Sequence, residues 1–305
     1  MKKILVTGAT GLIGKKIVDK LIKRGDETVV LTRSVLAAQK ILPNANRFIE
    51  FYYDRNITEE LSDVINQSDA IIHLAGENIM AKRWTKEHKK IVIESRVKFT
   101  EKLVEKIKKT GKKPKTFISA SAVGFYGNRF DDVDESSGKG SGFLPDVTNA
   151  WEKSTLPLDE LGIRRVNVRI GIVFTNDGGA LPKLVTPFKF FIGGSLGTGK
   201  QWIPWIHIND LVNIFLYALD NESINGAVNA VSPNPVTMNE LSSKIGKVLH
   251  RPSFFRVPQF ILKIILGESA DSILEGAKVI PYKLNSAGFE FQFKYLKDAL
   301  TDLLG

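Results

Sequence analysis

The first fourteen residues, MKKILVTGATGLIG, contain the feature that most constrains the fold. An apolar run from Ile4 to Val6 is typical of a buried strand, and glycines spaced G-x-x-G-x-x-G follow it directly. Apolar residues then recur at helical spacing from Ile13 to Ile22. A glycine turn between a strand and a helix N-terminus lets the backbone approach a pyrophosphate, which free N–H groups and the helix dipole attract. The start of the chain therefore predicts a nucleotide-binding α/β unit.

This turn supplies the first candidate cofactor residues. Its glycines permit the tight turn and the close approach of the backbone, and the residues that open the helix offer backbone N–H groups. We expect the pyrophosphate to lie against Gly8, Thr10, Gly11, Leu12, Ile13 and Gly14.

Strand patterns alternate with helical patterns through residue 174, which indicates a parallel sheet with right-handed crossovers. The later strand segments are Glu27–Thr32, Phe48–Tyr53, Ser68–Leu74, Thr116–Ser121 and Arg165–Val173. We therefore expect an α/β fold, a Rossmann-type doubly wound parallel sheet with a small, mostly helical C-terminal lobe. Residues 1–174 would form the dinucleotide-binding domain, completed by parts of 201–231. Residues 175–305 would form the substrate lobe and the C-terminal helical segment.

The end of the second strand pattern bears on which dinucleotide binds. NAD-selective sites usually place an acidic residue here to bind the adenosine ribose. This chain has Thr32-Arg33-Ser34 instead. An arginine with two hydroxyls suits a 2′-phosphate, and no carboxylate is present to repel it. NADP is therefore the predicted cofactor, with Thr32 and Arg33 as contacts; the alternative is that Arg33 is an ordinary surface arginine.

Further candidates lie at the ends of later strand patterns, on the edge where doubly wound sheets bind ligands. Asp54 follows the third strand and either accepts from the adenine amino group or caps the turn. Ser119 lies in the fifth strand pattern. The residues expected to border the cofactor after the fourth strand are Leu74, Ala75, Gly76 and Glu77.

One charged residue interrupts the apolar face of a long helix predicted over residues 86–109. Arg96 shares that face with Val92 and Phe99. A buried, unpaired arginine is costly, so Arg96 needs an anion. A cofactor phosphate and a structural carboxylate are equally compatible with the pattern.

Composition and charge exclude several classes of function. The absence of cysteine excludes disulfides and thiol catalysis, and four scattered histidines predict no metal site. The net charge is +10, but no basic motif with aromatic platforms indicates a nucleic-acid partner. No apolar run reaches membrane-spanning length, and a strand pattern begins at once, so we expect a cytoplasmic location and no membrane partner. A small-molecule substrate and a monomer or homodimer are expected.

Several motifs together resemble the extended branch of the short-chain dehydrogenase/reductase superfamily over essentially the whole chain. TGATGLIG resembles the cofactor signature of that branch, SASAVGFYG its fifth-strand segment, and WIHINDLV a stretch late in the sequence. HLAGENI, the Trp151-Glu152 pair, GGSLGTGKQWIPWIHIND and LEGAKVIPYKL resemble an atypical subgroup, the NADP-dependent oxidoreductases of the epimerase family. The resemblance implies a Rossmann fold and NADP binding.

The resemblance also implies a catalytic pair that this chain lacks. In the superfamily, a tyrosine acts as general acid/base, and a lysine four residues later lowers its pKa from about 10. None of the six tyrosines has a lysine four residues later. Counting back from Glu152 places the expected pair at Leu144 and Thr148, which cannot replace it.

Three functions remain open. The first is an oxidoreductase acting on a small carbonyl or hydroxyl substrate through a substitute acid, with Ser121, Tyr126 and Glu152 as candidates. The second is an isomerase resembling nucleotide-sugar epimerases, and the third is a non-catalytic NADP-binding sensor or scaffold. Tyr126 could equally be a packing residue, and Glu152 a surface or helix-capping charge.

Overall fold

The computed structural model describes residues 1–52 and 58–305. Asp54 lies outside the described residues. The strands are β1 (Lys3–Thr7), β2 (Glu27–Thr32), β3 (Arg47–Glu50), β4 (Ala70–His73), β5 (Thr116–Ala122), β6 (Arg129–Val133), β7 (Arg164–Ile170), β8 (Ile172–Phe174), β9 (Gly194–Leu196), β10 (Trp202–Ile203), β11 (Trp205–His207), β12 (Gly226–Ala230), β13 (Val236–Thr237), β14 (Phe255–Val257) and β15 (Ala277–Val279).

The helices lie between these strands and at the C-terminus. They are α1 (Leu12–Lys23), α2 (Val35–Ile41), α3 (Glu59–Gln67), α4 (Lys86–Glu94), α5 (Val97–Lys109), α6 (Phe143–Lys153), α7 (Ala180–Lys189), α8 (Ile208–Asp220), α9 (Met238–Leu249), α10 (Gln259–Leu266), α11 (Asp271–Leu274), α12 (Tyr282–Ser286) and α13 (Leu296–Leu304). Short 3₁₀ helices occupy Val123–Tyr126, Leu156–Leu161 and Gly267–Ala270.

Seven strands form one parallel sheet in the order β12-β7-β5-β4-β1-β2-β3. The strand order reverses between β1 and β4, and ligands bind at such a switch point outside the carboxyl ends of the strands. The predicted Rossmann-type doubly wound sheet is therefore confirmed. β12 lies within the expected completing segment 201–231, while the boundary at residue 174 stays a prediction.

The central strand β1 is buried on both faces, which explains its continuous apolar sequence. Ile4 and Val6 pack into the core on the α1 and α8 side, whereas Leu5 packs into the core beneath α3 and α5. Alternate side chains of a strand point to opposite faces. β1 is thereby fixed between two layers of helices, and the turn that follows it is held at the sheet edge.

The single helix predicted over residues 86–109 is wrong, because α4 ends at Glu94 and α5 begins at Val97. Ser95 contributes to the break. Its hydroxyl donates to the carbonyl of Val92 at 3.1 Å and accepts from the backbone N–H of Glu77 at 3.0 Å. A hydroxyl that bonds to its own helix backbone competes with regular helix geometry.

The C-terminal lobe is mostly helical, as expected, and short two-stranded ladders join its segments to one another and to the rest of the chain. β9 pairs with β14, β10 with β13, β8 with β11, and β6 with β15. Its core contains Phe174, Phe188 and Trp205, and helices α7, α9 and α13 cover it. Among the described residues, no helix combines the length and apolar character needed to cross a membrane.

Asp210, in the first turn of α8, holds the C-terminal segment against that helix. The helix is capped by His207, whose Nδ1 accepts from the N–H of Asn209 at 3.1 Å. Asp210 is fully buried and accepts from the backbone N–H groups of Gln292 and Phe293 at 2.8 and 2.9 Å. The same burial raises the pKa of Asp210.

We predict that Asp210→Ala lowers the free energy of unfolding by about 1.5–3 kcal/mol, because two buried N–H groups lose a carboxylate acceptor. Urea denaturation followed by circular dichroism measures the change. Asp210→Asn keeps one acceptor oxygen and should lose less. Equal stability of Asp210→Ala and the wild type would contradict the structural role.

Candidate functional site

The turn after β1 is shaped by two glycines that approach other backbone segments too closely for a side chain. Gly8 has φ +67°, and a Cβ there would lie 2.7 Å from the carbonyl carbon of Leu74. A Cβ on Gly14 would lie 2.3 Å from the carbonyl oxygen of Gly8. The turn is closed by a 3.1 Å hydrogen bond from the N–H of Gly11 to the Gly8 carbonyl. Glycine is therefore required at positions 8 and 14.

The N-terminus of α1 lies at the carboxyl edge of the sheet, and neither a capping side chain nor an acidic residue of its first turn competes for its N–H groups. Gly11 is its N-cap and provides no side-chain hydrogen bond, and the first turn contains no acidic residue. The first N–H groups of a helix have no acceptor within the helix. Those of Leu12 and Ile13 are thus suited to an anion, and the helix dipole adds to the attraction.

The segment after β2 has a fixed backbone and an exposed cation. Tyr52 donates from its hydroxyl to the carbonyl of Arg33 at 2.6 Å. Ser34 caps α2 by accepting from the N–H of Ala37 at 3.4 Å. The Arg33 side chain is exposed. The predicted 2′-phosphate contacts therefore lie at the end of a strand next to the glycine turn.

The predicted residues after β4 lie directly beside that turn. Ala75 donates its N–H to the hydroxyl of Thr7 at 3.3 Å. A Cβ on Gly76 would lie 3.2 Å from the guanidinium carbon of Arg96, so the cation covers this glycine. Leu74, Ala75, Gly76 and Arg96 are thus brought together at the switch point.

Arg96 is a buried cation at the junction between α4 and α5. Its guanidinium lies 5.1 Å from the ring centre of Trp151 and donates to the carbonyl of Val92 at 3.2 Å. Burial lowers the pKa of Arg96 to about 10, and the nearby charge of Glu77 opposes this shift. Arg96 forms no ion pair within residues 1–52 and 58–305. The nearby carboxylate of Glu77 and a cofactor phosphate therefore both remain candidate anions for Arg96.

Behind these residues, His73 joins β4 to the neighbouring elements. Its Nδ1 lies 2.7 Å from the hydroxyl of Thr7, and its Nε2 lies 3.0 Å from the hydroxyl of Thr100. The Thr100 hydroxyl donates to the carbonyl of Arg96 and accepts from the indole N–H of Trp151 at 3.2 Å. Nε2 of His73 must therefore carry the proton. Burial lowers the pKa of His73 to about 3, so the ring stays neutral.

The three candidate catalytic residues lie around Arg169, which sequence reasoning missed. Ser121 donates to Glu152 Oε1 at 2.6 Å. Arg169 donates from Nε and Nη2 to the two Glu152 oxygens, each at 2.8 Å. Its Nη1 donates to the hydroxyl of Tyr126 at 2.9 Å. A charged residue within the apolar β7 pattern VNVRI was the available sequence signal.

Tyr126 lies inside this network rather than on a surface. Its side chain is fully buried, and its hydroxyl donates to Asn229 Oδ1 at 2.7 Å. Burial raises the pKa of Tyr126 to about 12, against the opposing charge of Arg169. The phenol is thus a weaker acid than a free tyrosine. Ser119 is likewise buried, and its hydroxyl donates to the carbonyl of Ala120 at 3.0 Å.

A cleft of about 390 Å³ opens between the end of β5 and the C-terminal lobe. Its walls include Trp84 and Phe143, whose ring centres are 5.1 Å apart, and Gly124 from the turn after β5. Lys89 lies 5.0 Å from the centre of the Phe143 ring and pairs with Glu268. The cleft therefore combines aromatic surface with charged groups.

We predict that Tyr126 ionises at a pH above the usual range for a tyrosine. Because its pKa is raised in the folded state, its contribution to stability is complete below pH 10 and is lost as the pH approaches 12. The difference in absorbance at 295 nm between the wild type and Tyr126→Phe measures this group alone. A difference that titrates near pH 10, in protein still folded by circular dichroism, would contradict the buried position.

Comparison with known proteins places the chain in a family. A model of the NAD dependent epimerase/dehydratase family matches residues 4–143, and a model of a domain of unknown function, DUF1731, matches residues 257–303. The chain is 41% identical to the chloroplastic SDR39U1 homolog of Arabidopsis thaliana, over 99% of this chain and 86% of the relative. It is 34% identical to YfhF of Bacillus subtilis, over 99% of this chain and 97% of that relative.

Solved structures agree with this assignment. The crystal structure of human epimerase family protein SDR39U1 (isoform 2) with NADPH matches at a TM-score of 0.87 and 32% identity, over 99% of this chain and 98% of that one. UDP-glucuronic acid 4-epimerase from Bacillus cereus, at 19% identity and a TM-score of 0.79, shares the fold. The chain belongs to the SDR39U1-type epimerase family, within the extended short-chain dehydrogenase/reductase superfamily.

Proposed function

We propose that the protein binds NADP(H) at the carboxyl edge of β1, β2 and β4 and acts as an oxidoreductase on a small carbonyl or hydroxyl substrate. The observation that carries the proposal is the glycine turn at the switch point. There, Gly8 and Gly14 bring the backbone close, and α1 presents its N-terminus without an acidic residue. A pyrophosphate matches both the N–H groups and the dipole of this helix.

The preference for NADP over NAD rests on the end of β2. Thr32, Arg33 and Ser34 offer a cation and two hydroxyls, and no carboxylate is among them. Human SDR39U1, at 32% identity, was crystallised with NADPH. Both observations support a 2′-phosphate contact at Arg33. A cytoplasmic location and a monomer or homodimer belong to the same proposal.

The residues at the switch point would hold the cofactor in distinct ways. The N–H groups of Leu12 and Ile13 would bind the pyrophosphate, and Leu74, Ala75 and Gly76 would border the riboses. Arg96 would supply a positive charge beside Gly76. The bound cofactor supplies hydride chemistry. The cleft lined by Trp84 and Phe143 would take the substrate.

The candidate acids have unequal suitability for proton transfer. Tyr126 is buried, with a pKa of about 12, and its hydroxyl already has two partners. Glu152 is held by two hydrogen bonds from Arg169. Ser121, the residue before the last of β5, is also buried, and its hydroxyl is oriented by Glu152. We propose that Ser121 orients the substrate oxygen, with Glu152 and Arg169 as positioning residues, and that turnover is slow.

A second candidate function is an NADP-binding sensor or scaffold without chemistry. The observation that favours it is the same burial of Tyr126, since a phenol enclosed by Arg169 and Asn229 cannot touch a substrate in this arrangement. Both functions require the cofactor site, and they differ only in turnover.

We predict that Arg33→Asp weakens NADPH binding by about 1–3 kcal/mol and leaves NADH binding nearly unchanged, because a charge-assisted contact to the 2′-phosphate is lost. Isothermal titration calorimetry with both cofactors measures the effect. Lys40→Asp makes the same charge change on the exposed face of α2 and is the matched control. Equal affinities of the wild type for NADPH and NADH would refute the NADP preference.

We predict slow NADPH oxidation on a panel of small aldehydes and ketones. Tyr126→Phe should retain most of the rate, whereas Glu152→Gln should lose about tenfold or more, because Ser121 loses its orienting carboxylate. Absorbance at 340 nm follows the reaction.

The outcomes of this assay separate the candidate functions. No turnover on any substrate, with micromolar NADPH binding intact, would support the sensor or scaffold. Product formed from a nucleotide sugar without net NADPH consumption would support the epimerase-like alternative. Loss of activity in Tyr126→Phe with unchanged stability would indicate that Tyr126 acts as the acid.

A further inference from the structure

The C-terminal lobe carries large apolar side chains on its outside. We define the apolar–basic surface as Phe190, Phe191 and Ile192 after α7, Phe254 and Phe255 at the start of β14, and the cations Lys189, Arg251 and Arg256. Phe190 and Phe254 are 70% and 75% exposed. Contiguous exposed apolar side chains on a folded protein mark an interaction surface more often than chance packing.

The two segments of this surface are in contact with each other. Phe255 lies opposite Gly194 in the β9–β14 ladder. Its N–H donates to the Gly193 carbonyl at 3.3 Å. The rings of Phe254 and Phe255 lie 4.8 Å apart, and the guanidinium of Arg251 lies 4.5 Å from the ring centre of Phe191. Phe191, Arg251, Phe254 and Phe255 therefore lie on one surface, which Lys189 and Arg256 flank in the sequence.

The exposure of this surface is built into the backbone. Phe191 donates its N–H to the carbonyl of Phe188 at 3.0 Å, and Ile192 donates to the carbonyl of Pro187 at 3.1 Å. Phe188, in contrast, is buried in the lobe core. Phe188, in the last turn of α7, thus points inward, and the loop after the helix holds Phe190, Phe191 and Ile192 outward.

Helix α10, which begins two residues after β14, also exposes large apolar side chains. Phe260 and Ile264 are 64% and 69% exposed and lie one turn apart, so they share a face. Leu262 alone in this helix is buried. Lys263 lies on the exposed side and is 3.5 Å from Asp271. A short helix with an apolar outer face is unusual for a surface in water.

Charge is segregated in the segments that carry this surface. Residues 178–209 contain three lysines and no acidic residue, and residues 241–267 contain five lysines and arginines and no acidic residue. The chain as a whole has 43 basic and 33 acidic residues. A large part of the net charge of +10 is therefore concentrated in the two segments that β9 and β14 bring together.

We propose that the apolar–basic surface docks the protein onto a membrane that contains anionic lipids. Phenylalanine and isoleucine side chains would enter the headgroup boundary, and Lys189, Arg251 and Arg256 would lie among the lipid phosphates. A symmetric dimer through this surface is disfavoured, because it would place the same cations against each other. Ile192 adds an exposed aliphatic side chain, which offers no stacking platform for a nucleic-acid base but would enter a lipid boundary.

This proposal departs from the expectation of no membrane partner. That expectation rested on the absence of a spanning run, which does not bear on peripheral docking. Docking is independent of the proposed NADP chemistry, since no residue of the surface belongs to the glycine turn.

The test is co-sedimentation of the full chain with two kinds of vesicle in about 0.1 M salt. One kind is phosphatidylcholine alone, and the other contains about 30% phosphatidylglycerol. We expect binding to the anionic vesicles only, weakened about fivefold or more by Arg251→Glu, by Arg256→Glu and by Phe254→Ser. Lys40→Glu and Phe130→Ser change an exposed cation and an exposed phenylalanine elsewhere and are the matched controls. Unchanged NADPH affinity and melting temperature would establish that the variants are folded.

Three results would overturn the proposal. The first is equal binding to neutral and anionic vesicles, or none to either. The second is equal weakening by the control variants. The third is a different occupant: a dimer that Phe254→Ser dissociates in light scattering, or retention on polyuridine in preference to vesicles.

Discussion

The close approach of three backbone segments at the switch point is the constraint on which the rest of the structure depends. A Cβ on Gly8 would overlap Leu74, and a Cβ on Gly14 would overlap Gly8. These approaches set how α1 leaves β1 and how near the end of β4 comes to that turn. The sheet order then places the ends of β2 and β5 at the same carboxyl edge, on either side of β1 and β4. The cofactor site is a consequence of this backbone packing.

A layer of buried polar residues supports that edge from behind. His73 connects Thr7 to Thr100, and Trp151 connects Thr100 to α6. Beside it, Arg169 connects Glu152 to Tyr126. Buried polar groups are costly unless they are paired, and these residues pair with one another. Their mutual hydrogen bonds offset the free-energy cost of burial and fix the geometry of the strand ends.

The sequence predicted the parts of the fold that depend on local pattern. β2 ends at Thr32 as expected, and the strand–turn–helix unit at the N-terminus was readable because glycine spacing and apolar periodicity agree. The break at Ser95 was missed, since a hydroxyl that bonds across to Glu77 depends on tertiary contact. Arg169 was missed for the same reason: its partners Glu152 and Tyr126 are distant in sequence. The candidate cofactor and catalytic residues remain predictions.

The central claim is that NADPH binds across the glycine turn and the end of β2. The most direct measurement is a titration of isotope-labelled protein with NADPH, followed by the backbone amide resonances. The account predicts the largest shifts at Leu12 and Ile13, with a second group at Thr32 to Ser34. Shifts confined to the aromatic cleft around Trp84, or saturation by NADH at the same concentration as by NADPH, would contradict it.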